Sequence, residues 1–135
     1  MFKSKPSKPQ NRIDSLIGVG TRIEGSVIFT GGLRIDGEIK GDVVAASDQP
    51  STVVVSEQAR IEGEVKVTHM VVNGTIVGHV HASEFLELQP KCRVSGDIHY
   101  NNLEIQLGAV VEGRLVHAGA AGEGKAIELK LAKGN

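Results

Sequence analysis

The stretch "LRIDGEIKGDV", Leu33 to Val43, places an apolar residue or a glycine at every second position: Leu33, Ile35, Gly37, Ile39, Gly41 and Val43. The residues between them, Arg34, Asp36, Glu38, Lys40 and Asp42, are all charged. Successive side chains of a strand point to opposite faces, so this alternation sets one face against a core and leaves the other in water. Strands usually run to about five or six residues, and a glycine inside one weakens it. The two glycines therefore mark bends or close backbone approaches, and the sequence leaves both readings open.

The phrase apolar-x-Gly-x-apolar recurs as "IEGSV" at Ile23, "IDGEI" at Ile35, "IKGDV" at Ile39 and "IEGEV" at Ile61. It continues as "VNGTI" at Val72, "IVGHV" at Ile76, "VSGDI" at Val94 and "VEGRL" at Val111. One glycine per period, Gly25, Gly41, Gly63, Gly78, Gly96 and Gly113, gives a spacing of about 17 to 18 residues, stretched once by the polar insertion "SDQPST". Fixed-period alternation of this kind predicts an all-β parallel β-helix, a solenoid of about six turns with three short strands per turn. Neighbouring turns stack about 4.8 Å apart, so the rod is about 25 to 30 Å long. "TVVV", "FLEL" and "LEIQL" supply further strands, with Val53, Val55, Leu86, Leu88, Leu103 and Ile105 facing inward. Stacking also sets Lys40 between Glu24 and Glu62, a charge ladder along the outer wall.

Composition supports a narrow interior. The 135 residues include no Trp, one Tyr and three Phe, too few large side chains for a broad core. Fifteen basic against sixteen acidic residues, a net charge of −1, give no general attraction to nucleic acid. The N-terminus lacks the apolar stretch of a secretory signal, so a cytoplasmic protein is expected. Cys92, the single cysteine, lies in phase with Val94 and Ile98 and is expected to be a buried structural residue.

Three regions follow: a basic N-terminal tail over 1–16, the solenoid over 17–117, and a flexible C-terminal tail over 118–135. "MFKSKPSKPQNR" joins Met1 and Phe2 to Lys3, Lys5 and Lys8, which suits either insertion at an anionic lipid interface or a solubilising leader. Each end of a solenoid presents unpaired backbone groups and a cross-section of core. With neither end visibly capped, end-to-end self-assembly is expected. Its candidate contacts are Val19, Ile23, Val27, Ile28 and Phe29 on the first turn and Leu107, Val110, Val111, Leu115 and Val116 on the last.

"LRIDGEIKGDV", "ARIEGEV", "VVNGTIVGHV" and "GAVVEG", in this order over about Ile17 to His117, resemble the bactofilin family. The resemblance implies right-handed β-helices that join end to end, without nucleotide or cofactor, into nonpolar filaments. It implies as partners further copies of the chain, the inner face of the cytoplasmic membrane and cell-wall synthases or hydrolases, and hence a cytoplasmic protein peripheral on that membrane. "MFKSK" is similar to the family's membrane-binding peptide, which gives Met1, Phe2, Lys3 and Lys5 that role. "GAVVEG" departs from relatives that carry phenylalanine near Val111, which implies a weaker end contact.

Enzymatic readings fare worse. Left-handed β-helix acyltransferases repeat strictly every six residues, unlike this chain. Polysaccharide-cleaving β-helices are longer and need clustered carboxylates on long loops, whereas the insertion carries one acidic residue. No catalytic residue is nominated. His79, His81, Asp97 and His99 fall at matching offsets on adjacent turns, so a tetrahedral metal site is weighed against a solvated polar patch or a partner-binding surface, which are favoured. A monomeric adaptor, its C-terminal tail folded over the last turn, is the rival to a self-assembling scaffold.

Overall fold

The structure, a computed structural model, describes residues 12–46, residues 49–118 and the backbone of residues 126–130. It is a parallel β-helix of six coils, each with three strand sides. The first coil holds β1 (Ser15–Ile17), β2 (Arg22–Glu24) and β3 (Val27–Phe29). The second holds β4 (Gly32–Ile35), β5 (Glu38–Lys40) and β6 (Val43–Ala45). The third is β7 (Thr52–Val55), β8 (Arg60–Glu62) and the start of β9 (Val65–Val72), which bends through a corner to begin the fourth. That coil continues with β10 (Thr75–Val77) and the start of β11 (Val80–Leu88), which in turn opens the fifth. β12 (Arg93–Ser95) and β13 (Ile98–Tyr100) complete the fifth, and β14 (Leu103–Ile105) and β15 (Val110–His117) form the sixth. Solenoid pairing begins at Ser15, two residues before the boundary drawn from the sequence.

"LRIDGEIKGDV" is thus two corners and most of one coil. Leu33, Ile35, Ile39 and Val43 are buried, and the charged residues between them stay outside. The chain bends at Asp36-Gly37 and again at Gly41-Asp42, which reconciles an eleven-residue alternation with strands of three or four residues. The inward columns are aliphatic, for example Ile23, Ile39, Ile61, Ile76, Val94 and Val111 in continuous register. Cys92 is buried, and burial pushes its thiol up to about 11, so it is inert at neutral pH.

The glycines settle the question the alternation raises. Gly25, Gly41, Gly63, Gly78, Gly96 and Gly113 stack at the corner between the second and third sides, with φ from 136° to 158°. A Cβ on any of the last five would run into the backbone carbonyl of the glycine one coil below. Bend and close approach therefore coincide at one atom.

That corner also needs hydrogen-bond acceptors, because the residues after Gly63, Gly96 and Gly113 turn their N–H groups toward the coil below. Glu64 N–H donates to Asp42 Oδ1 (2.9 Å), Asp97 N–H to His79 Nδ1 (3.0 Å) and Arg114 N–H to Asp97 Oδ1 (3.1 Å). The polar column after the glycines is thus a side-chain ladder that satisfies backbone donors. On the second side Glu24, Lys40 and Glu62 are in register as the stacking predicts. The ion pairs there are Arg22–Glu24 at 3.2 Å, Arg22–Glu38 at 4.0 Å and Arg60–Glu62 at 2.9 Å, all exposed and so only weakly stabilising.

Beyond the last coil, the described part of the C-terminal segment is one further strand. β16 (Ala126–Lys130) pairs antiparallel with β15, from Glu112 opposite Lys130 to Val116 opposite Ala126. Its alternation of Ile127 and Leu129 with Glu128 and Lys130 is a strand pattern, and the outer edge of β15 offers unpaired backbone groups to it.

Candidate functional site

The surface that distinguishes this solenoid is at its ends. On the first coil Leu16 is 60% exposed on the first side, Val19 67% at the next corner and Ile28 71% on the third side. One coil further in, Arg34 stands on Leu16, and the Ile28 column runs through Val44 to Lys66. Exposed apolar side chains thus stand on the first and third sides of the first coil and at one corner, while the outward residues of its second side, Arg22 and Glu24, are charged. A lateral partner covers one such place; a partner arriving along the rod axis meets Leu16, Val19 and Ile28 together. Ile23 and Val27 point into the open first coil, half-buried, and Phe29 is buried beside them.

The last coil differs. Leu107, 94% exposed, occupies the corner that Val19 occupies on the first coil. Val110 and Val116 are half-buried on the outer wall. Val111 and Leu115 are buried within the chain at 0% and 5% exposure. Leu103 and Ile105, on the side that β16 does not reach, are half-buried. Among the ten residues nominated from the sequence, Phe29, Val111 and Leu115 therefore sit inside the fold, while Val19, Ile28 and Leu107 are accessible. Leu16 and Ile13 are accessible apolar residues that the inward parity passed over; their signal was an apolar residue at an outward position.

The histidines do not converge on one point. His81 stacks on His99, with ring centroids 4.5 Å apart and an interplanar angle of 13°. His81 Nε2 lies 2.7 Å from Glu64 Oε2, His79 Nδ1 is occupied by the Asp97 N–H, and Asp97 Oδ2 holds Arg114 at 3.2 Å. Among the described residues no group of three or more His, Cys, Asp or Glu side chains is placed to hold a metal ion. The Arg114 hydrogen bonds hold Asp97 below the ordinary carboxylate range.

His99 is pushed below the ordinary value of 6.5, first by burial and then by the neighbouring His81, with Asp97 opposing and His79 and Arg114 adding to the depression. Its Nδ1 is buried and without a hydrogen-bond partner among the described residues. The unfolded chain takes up a proton at this residue near its ordinary value while the folded chain resists it. Stability is therefore complete above about pH 6.5 and falls as pH drops below it, until the folded form also protonates. The melting temperature is expected to be lower at pH 5.5 than at pH 7.5, and His99→Gln to remove much of that difference. An unchanged difference in the variant would assign the effect elsewhere.

Met1, Phe2, Lys3, Lys5 and Lys8 lie outside the described residues, and no helix among the described residues is long and apolar enough to cross a membrane.

A continuous parallel coil of three-sided turns defines a β-solenoid. A family model described as "Bactofilin: Polymer-forming cytoskeletal" matches residues 15–116. The chain belongs to the bactofilin family, and so to a class of polymer-forming cytoskeletal proteins. It is similar to bactofilin BacP of Myxococcus xanthus, 27% identical over 116 residues, which cover 85% of this chain and 47% of BacP. It is also similar to bactofilin BacO of the same organism, 26% identical over 102 residues, covering 76% of this chain and 78% of BacO. The chain thus spans about half the length of BacP and most of that of BacO. No solved structure matches it.

Proposed function

We propose that this chain is a non-enzymatic scaffold that joins end to end, without nucleotide or cofactor, into nonpolar filaments. These filaments lie on the inner face of the cytoplasmic membrane and localise cell-wall machinery. The observation that carries the reading is the exposed apolar set of the first coil, Leu16, Val19 and Ile28, spread over two sides and a corner so that an axial partner reaches all of it at once. Val19, Ile23, Val27 and Ile28 at one end and Leu107, Val110 and Val116 at the other are the contact residues we nominate. Nothing in the reading asks for a reaction.

Membrane attachment is assigned to Met1, Phe2, Lys3, Lys5 and Lys8. Each lysine contributes about 1 kcal/mol near an anionic surface, and a filament multiplies that weak attachment by its number of copies. Electron microscopy of the purified chain in nucleotide-free, metal-free buffer is expected to show filaments, and flotation with anionic vesicles to fail once residues 1–8 are deleted. Monomers at every concentration would overturn the scaffold reading; equal flotation without residues 1–8 would overturn the anchor.

One observation favours the adaptor reading: β16 lies along the last coil. Sedimentation velocity separates the two, because an adaptor keeps the same sedimentation coefficient as concentration rises.

A further inference from the structure

β15 is the last strand of the solenoid, and its outer edge is where another copy has to add if the rod is to lengthen from that end. β16 pairs along this edge, and it is antiparallel, whereas the pairings between coils of the solenoid are parallel. The direction matters. A copy related by a two-fold axis perpendicular to the rod reverses the sense of winding, so its last coil meets β15 antiparallel; a head-to-tail copy meets it parallel. β16 fills the edge in the sense of the two-fold-related copy.

The sequence of β16 carries the likeness further. A second β15, centred by the two-fold on Gly113, sets Val110, Val111, Glu112, Gly113 and Arg114 opposite Val116, Leu115, Arg114, Gly113 and Glu112. Opposite those same five residues the structure sets Ala126, Ile127, Glu128, Leu129 and Lys130. "AIELK" thus repeats "VVEGR" in character: two apolar residues, a glutamate, an uncharged residue and a base. In both arrangements the register position opposite Arg114 holds a glutamate and the one opposite Glu112 holds a base.

We propose that Ala126–Lys130 is an autoinhibitory strap that imitates β15 of a second copy and competes with it for the edge of the last coil. This rests on the end-to-end reading above and adds its regulation. Being part of the same chain, the strap acts at an effective concentration on the order of millimolar, against micromolar for a second copy. A strapped chain joins through its first coil alone and stops at a dimer. Release of the strap opens the second end and lets filaments grow.

The test compares the full chain with one ending at Lys125, and adds the charge-reversed strap Glu128→Lys/Lys130→Glu. That double variant sets like charges opposite Arg114 and Glu112 while leaving β15 intact. Both changes are expected to lower the critical concentration for filaments, read by pelleting and light scattering, by tenfold or more. In Arg114→Cys/Glu128→Cys the two Cα atoms are register partners; the oxidised form is expected to stop at dimers and to elongate after reduction. Buried Cys92 stays out of the exchange. A critical concentration unchanged by truncation and by charge reversal, or filaments from the oxidised chain as long as from the reduced one, would overturn the strap and leave end-to-end assembly standing. Failure of every form to assemble, the truncated chain included, would overturn both.

Discussion

Gly63→Ala is expected to destabilise the protein by more than about 4 kcal/mol, whereas Gly25→Ala, the same substitution at the same corner, costs about 1–2 kcal/mol. The two glycines have similar backbone angles, φ 158° and 136°, so the penalty for giving an L side chain this conformation is common to both. They differ in what lies beneath. Gly25 is on the first coil, and a Cβ there has nothing within 4 Å. A Cβ on Gly63 meets the carbonyl of Gly41, with its carbon 2.5 Å away, and this neighbour is backbone that cannot rotate aside. The only relief is to part the second and third coils, which breaks ladder hydrogen bonds on both sides of the corner. For a domain of about 100 residues, 4 kcal/mol lowers the melting temperature by roughly 15–30 °C. Circular dichroism melts of the two variants check it; equal losses would show that the bend alone, and not coil contact, fixes glycine at this corner.

This difference between equivalent glycines also marks how far the sequence could be read. The column itself was legible, because a bend that must recur every coil leaves the same residue at a fixed period. Its dual cause was not, because backbone approach depends on the coil below rather than on any local signal. The inward parity of Leu33, Ile35, Ile39 and Val43 was legible for the same reason as the glycines. The stacking of His81 on His99 could be suspected from matching offsets, yet the imidazole orientations that keep the ring nitrogens from converging depend on Glu64 and Asp97 in neighbouring coils. β16 was the least legible element. Its alternation is short, lies in a Gly-rich segment and gains a strand's hydrogen bonds only by meeting β15, eight or more residues away in the chain.

The C-terminal end yields the second large effect, and there two substitutions a few residues apart are expected to do opposite things. Val111 is fully buried on top of Val94, so Val111→Arg sets a guanidinium against the aliphatic column of the last coil. Burying an uncompensated charge costs several kcal/mol, enough to unravel coils six and five and to remove the cooperative melt. Loss of filaments in this variant reports on folding. Leu107, 94% exposed at the corner above, touches little within its own chain, and Leu107→Arg is expected to change stability by less than about 0.5 kcal/mol. It does set a charge on the rim nominated for an axial partner. If like ends meet, blocking the last coil leaves the first coil free to pair, and the variant stops at dimers. If unlike ends meet, every contact uses one rim of each kind, and the same variant stops at monomers. Sedimentation equilibrium on folded Leu107→Arg reads the stoichiometry directly: dimers support the nonpolar arrangement, monomers a polar one, and undiminished filaments would remove Leu107 from the contact.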